Sequence, residues 1–177
     1  MGETILVLGG ARSGKSHLAG RLAAEHGPVT YVATAMVDRD DPEMVARIDR
    51  HRAERPADWT TLEVPRDLQG VLPDLAAQEG SVVIDCATLW ITNLMLGTGG
   101  GPARDDAAIL ATVDQAVAAA RGRARMVWVS NEVGSGVVPE NALARRFADL
   151  QGWVNQRLAA ACDSVHFCVA GLSIRLK

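Results

Sequence analysis

The fold is decided by the stretch Gly9-Gly10-Ala11-Arg12-Ser13-Gly14-Lys15-Ser16, which follows an apolar run and precedes a helical pattern. Glycines leave backbone amides free to point at phosphate oxygens, and a helix N-terminus behind them favours negative charge. In this pattern the side chain of Lys15 reaches the β and γ phosphates, while the Ser16 hydroxyl ligates Mg²⁺. The stretch therefore predicts a phosphate-binding loop for a nucleoside triphosphate.

Short apolar runs alternate with helical patterns along the rest of the chain. The predicted strands cover residues 4–8, 29–33, 60–64, 82–85, 126–130 and 165–170. The predicted helices lie near residues 15–25, 42–55, 88–96, 105–120 and 139–161. Residues 172–176, after Gly171, are expected to return as an antiparallel strand. This alternation predicts an α/β fold, a mostly parallel sheet with helices on both faces.

Composition limits the kinds of partner that the protein binds. With 177 residues, the chain is expected to form one catalytic domain over residues 1–177. A net charge of −3 with both signs dispersed argues against binding to nucleic acid. The sequence has neither an apolar run of membrane-spanning length nor a signal-peptide pattern, so we expect a cytoplasmic protein. The cysteines, three in number, fit buried packing better than a disulfide framework or a zinc site.

Two further patterns suggest chemistry beside the phosphate loop. Asp85 ends the apolar run 82–85 and is a candidate for the Mg²⁺ shell, although aspartate at a strand end also serves as a cap or turn residue. Arg47, His51 and Arg55 recur every four residues and so share one helix face. Flanking arginines attract phosphate and disfavour a protonated imidazole, which suits a histidine nucleophile. A solvated helix face has the same spacing.

The phosphate loop alone leaves several classes of protein open. A regulatory GTPase is disfavoured because no Asn-Lys-x-Asp element is present, and the pattern Asp-x-x-Gly occurs twice without specificity, at 67–70 and 149–152. A kinase for a small alcohol fits the short chain and its arginines. A nucleotide-dependent switch or interaction module is the non-enzyme alternative, and it would bind nucleotide without turning over a substrate.

Further stretches of the chain add specificity to the phosphate loop. They are Tyr31-Val32-Ala33-Thr34-Ala35, Arg47-Ile48-Asp49-Arg50-His51, Asp85-Cys86, Val129-Ser130-Asn131-Glu132-Val133-Gly134 and Val138-Pro139-Glu140. With these stretches the chain resembles, nearly end to end, the bifunctional adenosylcobinamide kinase and adenosylcobinamide-phosphate guanylyltransferase family of cobalamin biosynthesis. Members of that family often carry a second histidine beside the nucleophile. This chain has Arg50 there, so His51 is the candidate nucleophile.

The resemblance implies a recombinase-like, three-layer P-loop NTPase fold and a homotrimer. It implies phosphorylation of adenosylcobinamide from ATP or GTP, followed by transfer of GMP from GTP to adenosylcobinamide phosphate through His51. Taken together with the phosphate-loop pattern, it gives His51 and Lys15 as the catalytic residues, and Ser16 and Asp85 are the candidate Mg²⁺ ligands. The implied nucleotide contacts are Gly9, Gly10, Ala11, Arg12, Ser13, Gly14, Lys15, Ser16, Ala33, Thr34, Ala35, Arg52, Ala53, Glu54, Arg55, Glu63 and Asp85.

Overall fold

A computed structural model describes residues 1–36, 52 and 55–177 of the chain. The strands are β1 (Thr4–Gly9), β2 (Val29–Ala33), β3 (Thr60–Glu63), β4 (Ser81–Asp85), β5 (Arg125–Asn131), β6 (Ser164–Val169) and β7 (Leu172–Arg175). The helices within the described ranges are α1 (Lys15–Ala24), α2 (Leu68–Ala77), α3 (Ala87–Leu96), α4 (Asp106–Ala119) and α5 (Ala142–Ala161).

All the strands belong to one sheet, in the order β3-β2-β4-β5-β1-β6-β7. Neighbours pair in parallel except at the last position, where β7 runs antiparallel to β6. The predicted α/β fold and the antiparallel C-terminal strand are therefore confirmed. The phosphate loop follows β1 and Asp85 ends β4. Only β5 lies between these two strands in the sheet.

A hydrophobic core lies on each face of the sheet, and the side chains of β1 alternate between the two cores. Ile5 and Val7 pack on the face that carries α1, whereas Leu6 and Leu8 pack on the opposite face against α2 to α5. Leu6 and Val7 are fully buried, and burying each such side chain contributes about 1.5–3 kcal/mol. The arrangement has the three layers expected, with helices on both faces.

Helix α2 was not predicted from the sequence, because Gly70 and Pro73 both oppose helix formation. The Asp67 side chain nevertheless caps it by accepting a hydrogen bond from the Gly70 backbone N–H at 3.1 Å. A Cβ at position 70 would lie 2.5 Å from Asp67 Oδ2, so this cap requires glycine. Burial of Leu68 and Leu72 then outweighs the poor helix propensity.

Other predicted boundaries need smaller corrections. Helix α5 begins at Ala142 rather than Pro139, because the Asn141 side chain caps it by accepting from the N–H groups of Leu143 and Ala144. The predicted helix 42–55 lies outside the described residues apart from its last part, where Arg52 is helical and Arg55 is not.

The carboxyl ends of the parallel strands meet along one edge of the sheet. Glu63, Ala33 and Asp85 pair in register at the ends of β3, β2 and β4. On the other side, Gly9 pairs with Asn131 at the ends of β1 and β5. In open α/β sheets this edge is where ligands bind. Among the helices described, none has the length and apolar character needed to cross a membrane.

Candidate nucleotide-binding site

The phosphate loop connects β1 to α1, and the local structure favours glycine at two of its positions, Gly9 and Gly14. A Cβ at Gly9 would lie 2.4 Å from Ser13 Oγ and 2.6 Å from the Cys168 carbonyl oxygen. Gly14 caps α1 in the left-handed conformation, with φ of 94°. These positions therefore hold a turn that brings the loop amides and the start of α1 to one side of the sheet edge.

Two neighbouring segments support this loop from below. The Gly171 N–H in the β6–β7 turn donates to the Ser13 carbonyl at 3.0 Å, and the Glu132 N–H donates to the Gly9 carbonyl at 3.1 Å. A Cβ added at Gly14 would lie 3.1 Å from Gly171 Cα, so the turn packs directly against the loop. The loop is thus fixed by β5 on one side and by the C-terminal hairpin on the other.

Lys15 and Ser16 begin α1, where the helix N-terminus adds its positive dipole end. Lys15 Nζ donates to the Gly10 carbonyl at 3.0 Å, which places the ammonium within the loop. Leu18 of this helix is buried, and His17 is exposed. The geometry is that of a site for the phosphates of a nucleotide.

Asp85 lies at the end of β4 and is held by Tyr31, whose hydroxyl donates to Asp85 Oδ2. Burial and then the Asp85 charge raise the pKa of Tyr31 well above its usual value, so the phenol remains a donor. The Arg55 guanidinium lies 3.5 Å from the centre of the Tyr31 ring, a cation–π contact. Tyr31 therefore connects Asp85 to one of the predicted phosphate-binding arginines.

The Cys86 thiol is buried next to Asp85 and close enough to Lys15 for both charges to affect its pKa. Burial, followed by the Asp85 carboxylate, raises the pKa of Cys86 to about 12, and the Lys15 ammonium opposes that rise. A thiol with this pKa stays neutral at pH 7 and is a poor nucleophile. All the cysteines are free and buried, as the packing interpretation predicted.

The segment Ala33 to Ala35 follows β2, and its central residue is engaged by the protein. Thr34 Oγ1 donates to the Cys86 carbonyl at 2.7 Å and accepts from the Cys86 N–H at 2.9 Å. The Thr34 carbonyl accepts from Asn93 Nδ2 at 2.9 Å, and its N–H donates to the Asp85 carbonyl. Thr34 thus orients the segment that carries Asp85, and Ala33 and Ala35 flank it at the edge.

A pocket of about 560 Å³ opens beside β3 and is lined by Arg52, Arg55, Pro56, Ala57, Trp59, Thr61 and Glu63. Arg52 forms an ion pair with Glu63 at its exposed rim, where such pairs contribute little to stability. Arg55 Nη1 donates to Thr61 Oγ1 at 3.3 Å. Three predicted contacts therefore line one pocket. His51, Ala53 and Glu54 lie outside the described residues.

The residues present suit a Mg²⁺ ion that is bound partly by its nucleotide. Within the described ranges, no cluster of three or more His, Cys, Asp or Glu side chains could hold a metal. Mg²⁺ commonly takes one or two protein oxygens and completes its shell with phosphates and waters. The Ser16 hydroxyl and the Asp85 carboxylate are oxygen donors of that kind at the same edge of the sheet.

Two residues at this edge were not given a role from the sequence. Tyr31 is the single tyrosine of the chain and connects Asp85 to Arg55. Asn131 ends β5 beside Gly9. The argument that singled out Asp85, a polar residue at the end of an apolar strand, applies equally to Asn131 and could have identified it.

The fold and the loop define a P-loop NTPase-type protein, and solved structures share this architecture. An ATPase of the Escherichia coli type III secretion system, EscN, aligns with a TM-score of 0.57 and 11% identity, covering 95% of this chain and 43% of that one. A Pyrococcus horikoshii protein aligns with a TM-score of 0.52 and 12% identity, covering 99% and 86%. At these identities the similarity concerns the fold alone.

The family assignment comes from sequence similarity. The model of the CobU family, described as cobinamide kinase / cobinamide phosphate guanyltransferase, matches residues 5–176, and the chain belongs to this family. The bifunctional adenosylcobalamin biosynthesis protein CobP of Pseudomonas aeruginosa is 47% identical, over 97% of this chain and 96% of that protein. CobU of Salmonella typhimurium is 43% identical, over 98% and 99%. The protein is therefore a bifunctional kinase and guanylyltransferase, and it binds nucleotide.

Proposed function

We propose that this protein phosphorylates adenosylcobinamide with ATP or GTP and then converts adenosylcobinamide phosphate to adenosylcobinamide-GDP with GTP. The observation that carries the proposal is the convergence of a complete phosphate loop, Asp85 and an arginine-lined pocket on one sheet edge, in a member of this family. The catalytic unit spans residues 1–177, acts in the cytoplasm and assembles as a homotrimer.

In the kinase reaction, the aminopropanol hydroxyl oxygen attacks the γ phosphorus. The bond from that phosphorus to the β–γ bridging oxygen breaks, the nucleoside diphosphate leaves, and the hydroxyl proton is released to water. The loop amides from Gly9 to Gly14 hold the phosphates, and Lys15 neutralises charge on them. Ser16 and Asp85 would hold a Mg²⁺ ion, which would supply further charge neutralisation during the transfer.

In the guanylyl transfer, an imidazole nitrogen of His51 attacks the α phosphorus of GTP and pyrophosphate leaves. A phosphate oxygen of adenosylcobinamide phosphate then attacks the same phosphorus, and the P–N bond breaks. Arg52 and Arg55, one and four residues after His51 in the chain, present positive charge to the pocket beside β3, which suits an anionic nucleotide. The loop holds the β and γ phosphates in both reactions, so one nucleotide site serves two phosphorus centres.

Labelling with GTP that carries radioactive phosphorus at the α position tests the histidine. The wild type should form a covalent, acid-labile adduct, and the adduct should be absent from His51→Ala. His51→Ala should retain kinase activity, whereas Lys15→Ala should impair both reactions because both need the triphosphate held. Labelling that persists in His51→Ala would disprove the assignment of the nucleophile. A wild type that phosphorylates another small alcohol but not adenosylcobinamide would disprove the substrate.

A further inference from the structure

After a run of buried apolar residues, β5 ends in two polar residues, Ser130 and Asn131, and Glu132 follows directly. Strand β5 lies between β1, which leads into the phosphate loop, and β4, which ends at Asp85. Asn131 is paired with Gly9, whereas Asp85 is paired with Val129 two residues earlier. Asn131 therefore stands between the loop and Asp85, where the terminal phosphate of a bound nucleotide would lie.

The main chain at Asn131 is fixed on both sides. Its N–H donates to Thr88 Oγ1 at 2.8 Å, and its carbonyl accepts from Asn155 Nδ2 at 2.9 Å. The next N–H, of Glu132, donates to the Gly9 carbonyl. Helices α3 and α5 and the phosphate loop thus hold this backbone, so its position is preorganised rather than dependent on a bound ligand.

A polar cluster behind Asn131 completes that support. Ser130 Oγ donates to Asn155 Oδ1 at 2.7 Å and accepts from Gln151 Nε2 at 2.9 Å. Ser130 and Gln151 are fully buried, and their hydrogen bonds to one another and to Asn155 keep the cluster in one arrangement. Gln151 Oε1 takes no part in these bonds and has no partner in the described part of the chain. The hydrogen bonds of the cluster position the backbone at Asn131 and do not involve the Asn131 side chain.

The Asn131 carboxamide itself makes no hydrogen bond to any part of the chain that the structure describes. Its Oδ1 is buried and lacks a partner there. A buried acceptor without a partner is destabilising, and such groups call for an explanation in function or in a ligand. The kinase reaction brings two groups to this position, a phosphoryl group that only accepts hydrogen bonds and a hydroxyl that can donate one.

We propose that Asn131 is a nucleotide-contact residue that recognises the γ-phosphoryl group, with Nδ2 donating to a γ-phosphoryl oxygen and Oδ1 accepting from the attacking hydroxyl. The inference rests on the proposed function, since it assumes a triphosphate in the loop and an alcohol as acceptor. It assigns to the end of β5 the ability to distinguish a nucleoside triphosphate from the diphosphate that remains after transfer.

Equilibrium binding of GDP and of the non-hydrolysable β,γ-imido analogue of GTP, both with Mg²⁺, tests the γ-phosphoryl contact in the full chain. In Asn131→Ala the analogue should bind about tenfold to a hundredfold more weakly, the size of one hydrogen bond to a charged group, while GDP affinity stays unchanged. Asn131→Asp, which keeps the shape and adds negative charge, should lose at least as much. If Asn131→Ala does not fold, Asn131→Ser takes its place in the same binding measurements.

Asn141→Ala is the matched control, because Asn141 caps α5 at the far end of the same loop. It should lower the thermal midpoint without altering the ratio of the two affinities. Equal loss of GDP and analogue affinity in the Asn131 variants, or no loss of either, would overturn the proposal. A kinase kcat unchanged in Asn131→Ala would overturn the contact to the hydroxyl. These binding measurements need no corrinoid, so they remain decisive if the wild type fails to phosphorylate adenosylcobinamide.

Discussion

The contact between the phosphate loop and the C-terminal hairpin can be tested with two glycine substitutions. Gly14 and Gly171 face one another, and both have positive φ, 94° and 79°. An alanine at either position must adopt a left-handed conformation, which costs about 1–2 kcal/mol. Only at position 14 would the new Cβ approach the opposite backbone, at 3.1 Å from Gly171 Cα, whereas a Cβ at position 171 meets nothing within 4 Å.

The difference between the two variants isolates the contact. Gly171 cannot yield freely because its N–H is bonded to the Ser13 carbonyl. Crowding of this kind typically costs about 1–3 kcal/mol, so Gly14→Ala should lose about 2–5 kcal/mol of the free energy of unfolding in total. Gly171→Ala should lose only the conformational part, about 1–2 kcal/mol.

Urea denaturation followed by tryptophan fluorescence measures both variants. With a denaturant slope of about 2 kcal/mol per M, the midpoint of Gly14→Ala should lie about 0.5–1.5 M below that of Gly171→Ala. Nucleotide affinity should fall with it in Gly14→Ala, because the displaced turn moves the amides of the loop. Equal midpoints for the two variants would show that the hairpin yields without cost, and would refute the argument that it braces the loop.

Two further predictions concern the supporting structure. Thr88→Val should lower the free energy of unfolding by about 1–3 kcal/mol, since the Asn131 N–H loses its acceptor. Thr92→Val in the same helix removes only a bond to the Thr88 carbonyl and should lower that free energy by less. Chemical denaturation of the two variants measures the difference. Burial raises the pKa of Cys162 to about 12, so the unfolded thiol loses its proton first and stability should fall as pH rises from about 9 towards 12, by about 1.4 kcal/mol per pH unit. The slope should be shallower in Cys162→Ala, and parallel slopes for the two proteins would contradict the burial argument.

The sequence was sufficient to predict the elements whose local signals agree with their packing. The glycines, Lys15 and Ser16 predicted the loop because phosphate binding needs those residue types at that spacing. Apolar runs predicted the strands, and Gly171 predicted the reversal into β7. Helix α2 was not predicted because its glycine and proline disfavour a helix locally. Its stability comes from a cap and from burial of its leucines, which depends on the tertiary structure.

The composition of the site was less accessible from sequence than its location. Asp85 was found because it ends an apolar strand, but its hydrogen bond to Tyr31 depends on β2 lying next to β4, and strand order is a property of the assembled sheet. The same holds for Asn131, whose importance follows from the insertion of β5 between β1 and β4. The role of His51 remains a prediction from spacing and family resemblance.

The bond from Gly171 to Ser13 also has a consequence for synthesis of the protein. The ribosome synthesises Gly9 to Ser16 long before the β6–β7 turn. The phosphate-binding residues of the nascent chain therefore emerge before the segment that supports them has been made. Affinity for nucleotide should therefore appear only after the β6–β7 turn has been synthesised and has packed against the loop. Until then, GTP in the surrounding solution would have no finished loop to occupy, and it could not help the growing chain to fold.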